Sequence, residues 1–307
     1  MIMKGANLST LFPSEASAAI AQDGYLVLQN TGASPEEFAE WFTDFAYTLS
    51  PDIWCSDKSH SSLFWRVTNQ NIDERTQGLF SSDDVDWHTD LAPIIDSQEV
   101  IGLYGKTITF DTETWVCSAV EYWNRLDEET KSMYKELVVE LYHASINKDK
   151  ELFETKWQVD WDKEYPQEII DGLRKNRQLS QIQNCTNISL DNAKKFNKHR
   201  GLVAKYNFVS NHPLGADSIF FHPHLIVDLY KENQSITQGK EIFQTIYRDL
   251  IESNKYTYKH RWKEGDILLI DQINTLHRRT KVYEDKPREL LRCAGWYKNR
   301  KHYNYVL

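Results

Sequence analysis

The sequence predicts a mainly β protein with flanking helices, a two-sheet jelly roll with helices laid against it, and three observations predict it. Short apolar runs rich in Val, Ile, Tyr, Thr and Phe recur between Gly, Asp and Pro turn signals, at 23–30, 100–116, 204–209, 218–221 and 267–270. Their order is strand, helix, many strands and a late return to strands, not a regular β–α–β alternation. No G-x-G-x-x-G or P-loop opens a helix, which removes the main support for a nucleotide-binding parallel sheet.

Residues 23–30 (DGYLVLQN) follow a turn and read as a short buried strand. Ser34, Pro35 and Glu37 then supply an N-cap, a first-turn proline and a capping-box glutamate, so a helix is expected through Trp41 to about Leu49. Residues 51–86 are polar and turn-rich with one apolar patch at 63–67, the composition of loops with a strand or two at the rim of a pocket. Antiparallel strands are expected over 100–116. Residues 127–144 begin with acidic residues and space Met133, Leu137 and Leu141 as one helical face, which predicts an amphipathic helix outside the sheet. Residues 147–200 are rich in Lys, Asp, Asn and Gln, carry Trp157, Trp161 and Tyr165, and include a short helix near 167–177; they read as a surface excursion or a lid. A helix fits 239–253, and Gly265-Asp266 launches the buried-type run 267–270.

At 307 residues, with 40% hydrophobic and 26% charged residues, the chain is long enough to bury a sizeable core, and one catalytic domain over 1–307 is expected. A net charge of −9 and the lack of any basic run argue against a nucleic-acid partner. Cys55, Cys117, Cys185 and Cys293 are too far apart for a metal knuckle or a disulfide framework. No segment approaches the roughly 20 apolar residues that span a bilayer, and no signal peptide is apparent. A cytoplasmic protein acting on a small-molecule substrate, away from membranes, is the expectation, with homo-oligomerisation left open.

The chemistry concentrates in Asp86-Trp87-His88-Thr89-Asp90. Along a strand, residues two apart share a side, so His88 and Asp90 present an imidazole and a carboxylate together while Thr89 turns away. His277 follows the apolar run launched by Gly265-Asp266. Two histidines and one carboxylate occupy one face of an octahedral ion and leave the other open, an arrangement suited to oxygen chemistry. An H-x-D tripeptide alone arises often by chance in a chain with ten histidines. In Arg288-Glu-Leu-Leu-Arg292-Cys-Ala-Gly-Trp296, alternation puts Arg288, Leu290, Arg292, Ala294 and Trp296 on one face. If that face looks inward, each guanidinium needs an anion, and a dicarboxylate co-substrate would supply one; if it looks outward, both arginines are ordinary solvated residues.

Several spaced elements together resemble the taurine dioxygenase and 2,4-dichlorophenoxyacetate dioxygenase family of 2-oxoglutarate oxygenases. They are Trp87-His88-Thr89-Asp90, the segment 111–114, His212-Pro213, Trp262-x-x-Gly265-Asp266, His277-x-Arg279, and Arg288 with Arg292, in family order across roughly 85–296. The resemblance implies a double-stranded β-helix (jelly-roll) core with Fe(II) at His88, Asp90 and His277. It implies that Arg288 and Thr114 bind the far carboxylate of 2-oxoglutarate, with O2 as second co-substrate, and that Arg292 faces the primary substrate. Glu113 departs from the family's aspartate, and Asp271-Gln272 from its Asp-Asn pair. The reaction implied is attack on an unactivated C–H bond, hydroxylation by default, with release of succinate and CO2.

The strand spacing of about 13 Å between Arg292 and Arg288 is too long for both to hold one carboxylate, so Arg292 wants another anion. Asp84 and Asp86, just before His88, would answer a cationic group, which suggests a small polar substrate of the amino-acid kind. A solvated acidic loop and an Arg292 paired to a protein carboxylate is the competing reading. His222 and His224 form a second same-face pair, more simply structural than ligating. Two other functions fit the triad alone: a zinc hydrolase using metal-bound water, and a non-enzymatic jelly-roll metal-binding or sensor protein.

Overall fold

The computed structural model describes residues 1–5, 7–48, 63–72, 75–76, 84–90, 98–142, 203–223, 226–232, 234–283 and 285–298. The 147–200 segment, with Trp157 and Trp161, lies outside them, as do His224, Cys55 and Cys185.

A seven-stranded sheet runs in the order Ile2–Lys4, Tyr25–Gln29, Ile267–Asp271, Val100–Ile108, Arg288–Tyr297 and Ala46–Thr48, with Trp65–Thr68 also paired to Arg288–Tyr297. A four-stranded sheet, Thr257–Arg261, Glu113–Ser118, Thr275–Arg279 and Val85–His88, is antiparallel throughout. A second four-stranded sheet is built from Val203–Asn207, Leu137–Tyr142, Ile226–Lys231 and Gln234–Ser235. The protein is thus mainly β with a few flanking helices.

Three apolar clusters tie these layers together. Val27, Ile101, Leu268, Leu290, Ala294 and Trp296 of the large sheet meet Val116 of the small one and Trp262, just past the end of its strand Thr257–Arg261. On the outer face of the large sheet, Leu26, Leu28, Leu269, Leu291 and Cys293 pack on Ile20, Phe38, Phe42 and Phe45 from the helices Pro13–Asp23 and Pro35–Phe45. Beyond the small sheet, Cys117 and Leu276 join Trp123, Phe243, Ile246 and Leu250. Each large apolar side chain buried this way stabilises the fold by roughly 1.5–3 kcal/mol before entropy is charged against it. The strand Arg288–Tyr297 settles the question its alternation raised. Leu290, Ala294 and Trp296 lie between the sheets while Leu291, Cys293 and Tyr297 face the helices, so Arg288 and Arg292 look inward.

The capping box at Ser34 forms, with Ser34 Oγ accepting from the Glu37 amide at 3.2 Å and Glu37 Oε2 accepting from the Ser34 amide at 2.7 Å. The helix stops at Phe45, however, short of Leu49, because Ala46–Thr48 pairs with Gly295–Tyr297 at the sheet edge. The helix expected over 127–144 is also shorter. Asp127 caps Glu128–Lys135, and Leu137–Tyr142 then runs as a central strand. Leu137 and Val139 are buried in strand alternation while Met133 is 42% exposed, so the local helical spacing yielded to sheet pairing by a β-branched run. The 239–253 helix is α over Gly239–Ile246 and π over Tyr247–Glu252. Among the described residues no helix is long and apolar enough to cross a membrane.

His260 is fully buried beside Trp262, its Nε2 3.4 Å from Asp266 Oδ2, and burial pushes its pKa down to about 4. The folded form therefore stays unprotonated where the unfolded chain, near 6.5, takes up a proton, so stability falls as pH drops from about 6.5 towards 4. The slope is about 1.4 kcal/mol per pH unit for each such histidine. Burial raises the Asp266 carboxyl, an effect of opposite sign whose full size is reached only below the ordinary carboxylate range. Urea unfolding at pH 6.5 and 5.0 should show the His260→Leu variant losing about 2 kcal/mol less than wild type across that interval; equal losses would place the acid sensitivity elsewhere.

Candidate metal and co-substrate site

The strand Val85–His88 ends at His88 and lies beside Thr275–Arg279 with His88 opposite His277. Cross-strand pairing thus sets two imidazoles side by side, their ring centroids 4.2 Å apart. Asp90 sits in the turn just past the strand, its amide held by Gln272 Oε1 at 2.8 Å. Asp90 Oδ1 is 3.7 Å from His88 Nε2 and 3.9 Å from His277 Nε2, and one atom from each residue falls within a 4.8 Å cluster. His88 Nδ1 is hydrogen-bonded to the Asp86 carbonyl, which keeps the proton on that nitrogen and leaves the Nε2 lone pair facing the cluster. Burial, and then His88, push His277 down to about 3 against the pull of Asp90, so its imidazole is neutral and able to ligate. Burial alone would raise the Asp90 carboxyl, but Arg292, His277 and His88 together hold it well below the usual carboxylate range. Two imidazoles and an ionised carboxylate on one side of a cavity fit a divalent iron.

The same cavity is lined by Thr114, Arg279, Arg288 and Arg292, with apolar walls from Val67, Val85, Ile101, Leu103 and Leu290. Arg288 is 2% exposed; its Nε has no hydrogen-bond partner, and no ion pair to it exists among the described residues. Burial, and then the neighbouring Arg279, push its pKa down to about 9, the mark of a cation lacking its counter-charge. Thr114 Oγ1 accepts a hydrogen bond from Trp262 Nε1 at 2.8 Å, so the hydroxyl proton is free to donate elsewhere. Gly265, at φ +79°, makes the tight turn that follows Trp262. A guanidinium fork and a hydroxyl donor in one cavity fit the far carboxylate of 2-oxoglutarate.

The other three sequence candidates take the arrangement of the competing reading, a protein carboxylate for Arg292 and exposure for the two aspartates. Arg292 donates to Asp90 Oδ2 from Nε at 3.1 Å and from Nη2 at 2.6 Å, so it has a protein carboxylate and does not lack an anion. Asp84 and Asp86 are exposed and absent from the described cavity lining. The Asp86 carboxylate accepts from the Trp87 amide at 2.8 Å.

The family model for the taurine catabolism dioxygenase TauD, TfdA family matches residues 5–294. The chain belongs to this family. It is therefore a 2-oxoglutarate-dependent non-haem iron dioxygenase, with Fe(II), 2-oxoglutarate and O2 as its cofactor and co-substrates. Solved structures share the fold at low identity. A putative alpha-ketoglutarate-dependent taurine dioxygenase from Burkholderia xenovorans is 14% identical, with 96% of this chain and 88% of that one covered and a TM-score of 0.62. AAD-2 in complex with Mn(II) and N-oxalylglycine is 16% identical, with 100% and 96% covered and a TM-score of 0.60. None of the curated proteins matches the chain.

Around the His88, Asp90 and His277 cluster of this dioxygenase the structure adds supporting contacts. Thr89 shares a 2.6 Å hydrogen bond with His222 Nδ1, which makes buried His222 a brace for the turn that carries Asp90, in keeping with a structural reading of that histidine. Asp271 is a second brace. His212 Nε2 and the Tyr297 hydroxyl each donate to its Oδ2 at 2.6 Å, and the Ile273 amide to its Oδ1 at 2.9 Å, so Gln272 and the strand bearing His277 start from a fixed point. The Leu214 amide donates to His212 Nδ1 at 3.0 Å and thereby sets the tautomer. The replacement of the family's Asp-Asn pair by Asp271-Gln272 was the available signal, since Gln272 is the residue that holds Asp90.

Proposed function

We propose that this dioxygenase, on a double-stranded β-helix core, hydroxylates an unactivated C–H bond of a small polar substrate of the amino-acid kind and releases succinate and CO2. His88, Asp90 and His277 are the proposed iron ligands, and Arg288 with Thr114 the proposed grip on 2-oxoglutarate. The observation that carries this reading is Arg288, a buried cation whose Nε has no hydrogen-bond partner and which has no ion pair among the described residues, in the cavity that also holds the triad. A desolvated guanidinium is costly unless an anion meets it, and a dianionic co-substrate meets it on every catalytic cycle. The bound iron, with 2-oxoglutarate and O2, supplies the oxidising power. The chain's own residues position and protect. Val67, Leu103 and Leu290 keep water out, Trp262 aims the Thr114 hydroxyl, and the Asp86 carbonyl holds the His88 proton away from the metal side.

Asp84 and Asp86, exposed beside the strand that ends at His88, are the proposed contacts for a cationic end of the substrate. The test is succinate formation across amino acids, amines and sulfonates, followed by Asp84→Asn and Asp86→Asn. Asparagine keeps an oxygen for the Trp87 amide and removes only the charge. Because exposed ion pairs contribute roughly 0.2–1 kcal/mol, each change should raise KM for a cationic substrate by up to about fivefold with kcat retained. An uncharged best substrate, or unchanged KM in both variants, would reject the cationic end.

A further inference from the structure

We infer that Arg292 is a positioning residue for the metal-binding carboxylate, holding Asp90 Oδ2 so that only Oδ1 is offered to iron. Both guanidinium contacts, from Nε at 3.1 Å and Nη2 at 2.6 Å, converge on Oδ2, while Oδ1 is the oxygen near the two imidazole nitrogens. The division of labour between the two oxygens is therefore built into the protein.

The guanidinium has little freedom to serve anything else. Arg292 is 6% exposed and lies on a central strand, opposite Leu103 on one side and Trp65 on the other. Its charged carbon stands 4.9 Å from the centre of the Trp65 ring, a cation–π contact that favours this position of the guanidinium. Leaving Asp90 for a substrate anion would strand a buried carboxylate oxygen, which charge-assisted pairing at this distance makes unfavourable.

The consequence is coordination arithmetic. An octahedral ion held by two histidines and one carboxylate oxygen keeps its opposite face open for a chelating 2-oxo acid and O2. A carboxylate that used both oxygens would close part of that face. Arg292 occupies the second oxygen, so Asp90 would offer a bound ion one oxygen only. The role assigned from family resemblance, contact with the primary substrate, is replaced by one within the metal site.

This inference depends on the iron-ligand roles proposed above, and the experiment separates the two. Arg292→Gln and Arg292→Lys are compared with wild type in anaerobic titrations with 2-oxoglutarate, read in the Fe(II) protein by charge-transfer absorption and in the metal-free protein by tryptophan fluorescence. In Arg292→Gln the Fe(II) protein is expected to bind 2-oxoglutarate at least about tenfold more weakly, while the metal-free protein binds it within about twofold of wild type. Arg292→Lys, which cannot fork onto one oxygen, shows a smaller loss of the same pattern; if the glutamine variant does not fold, this one decides. Unchanged Fe(II)-dependent binding with a raised KM for the primary substrate would overturn the inference and restore a substrate contact. Equal weakening with and without metal would overturn it in favour of a direct contact to 2-oxoglutarate. Failure of the ligand assignment itself looks different, because the charge-transfer absorption would then survive His277→Ala in an otherwise wild-type chain.

Discussion

His277→Ala is expected to abolish iron-dependent succinate formation, and His88→Ala to do the same. Removing a residue that merely supports a metal ligand costs roughly 10–100-fold in affinity or activity, and removal of a ligand should exceed that. His277 is 8% exposed and directly across the ladder from His88, and among the described residues the potential ligand cluster at this place consists of His88, Asp90 and His277. The measurement is succinate released by protein reconstituted anaerobically with Fe(II) and then exposed to O2, with circular dichroism to show that the fold persists. Succinate formation by the alanine variants within tenfold of wild type would remove His277 from the metal site. Full activity in an iron-free, zinc-loaded sample would point to the hydrolase that the triad alone also permits.

Arg288 should produce two effects of opposite sign. Arg288→Met is expected to weaken 2-oxoglutarate binding by about 2–5 kcal/mol, since the co-substrate's far carboxylate would be left buried without its partner. The same change should stabilise the ligand-free protein by about 1–4 kcal/mol, because it replaces a buried cation that has no ion-pair partner among the described residues with an apolar side chain of similar length. The pKa of about 9 sets the sign. The folded state holds this proton less tightly than the unfolded chain does, so the cost is present in full below about pH 9 and is relieved as pH rises towards 12.5. Urea unfolding of the metal-free protein measures the gain, and the thermal shift caused by added 2-oxoglutarate measures the loss. A variant that is both destabilised and unchanged in 2-oxoglutarate affinity would make Arg288 a structural residue.

The sequence by itself determined what depends on local pattern. The capping box at Ser34 and the alternation from Arg288 to Trp296 each follow from a few adjacent residues, and each is present as read. The triad came close behind, because His88 and Asp90 are two residues apart and His277 ends a recognisable apolar run. Only the tertiary structure decided whether the arginine face looked inward, and it did so by packing helices on one side of that strand and the small sheet on the other. It also converted Leu137–Tyr142 from an expected helix into a strand, since ladder partners on both edges outweigh the spacing of three apolar residues. The partners of the site residues were equally hidden. Arg292 meets Asp90 across 202 positions, Gln272 meets Asp90 across 182, and Trp262 meets Thr114 across 148. A charged or polar side chain announces that it needs a partner because leaving it buried alone is costly. Which partner it receives is fixed by the register and packing of strands far apart in the chain, and no local pattern contains that choice.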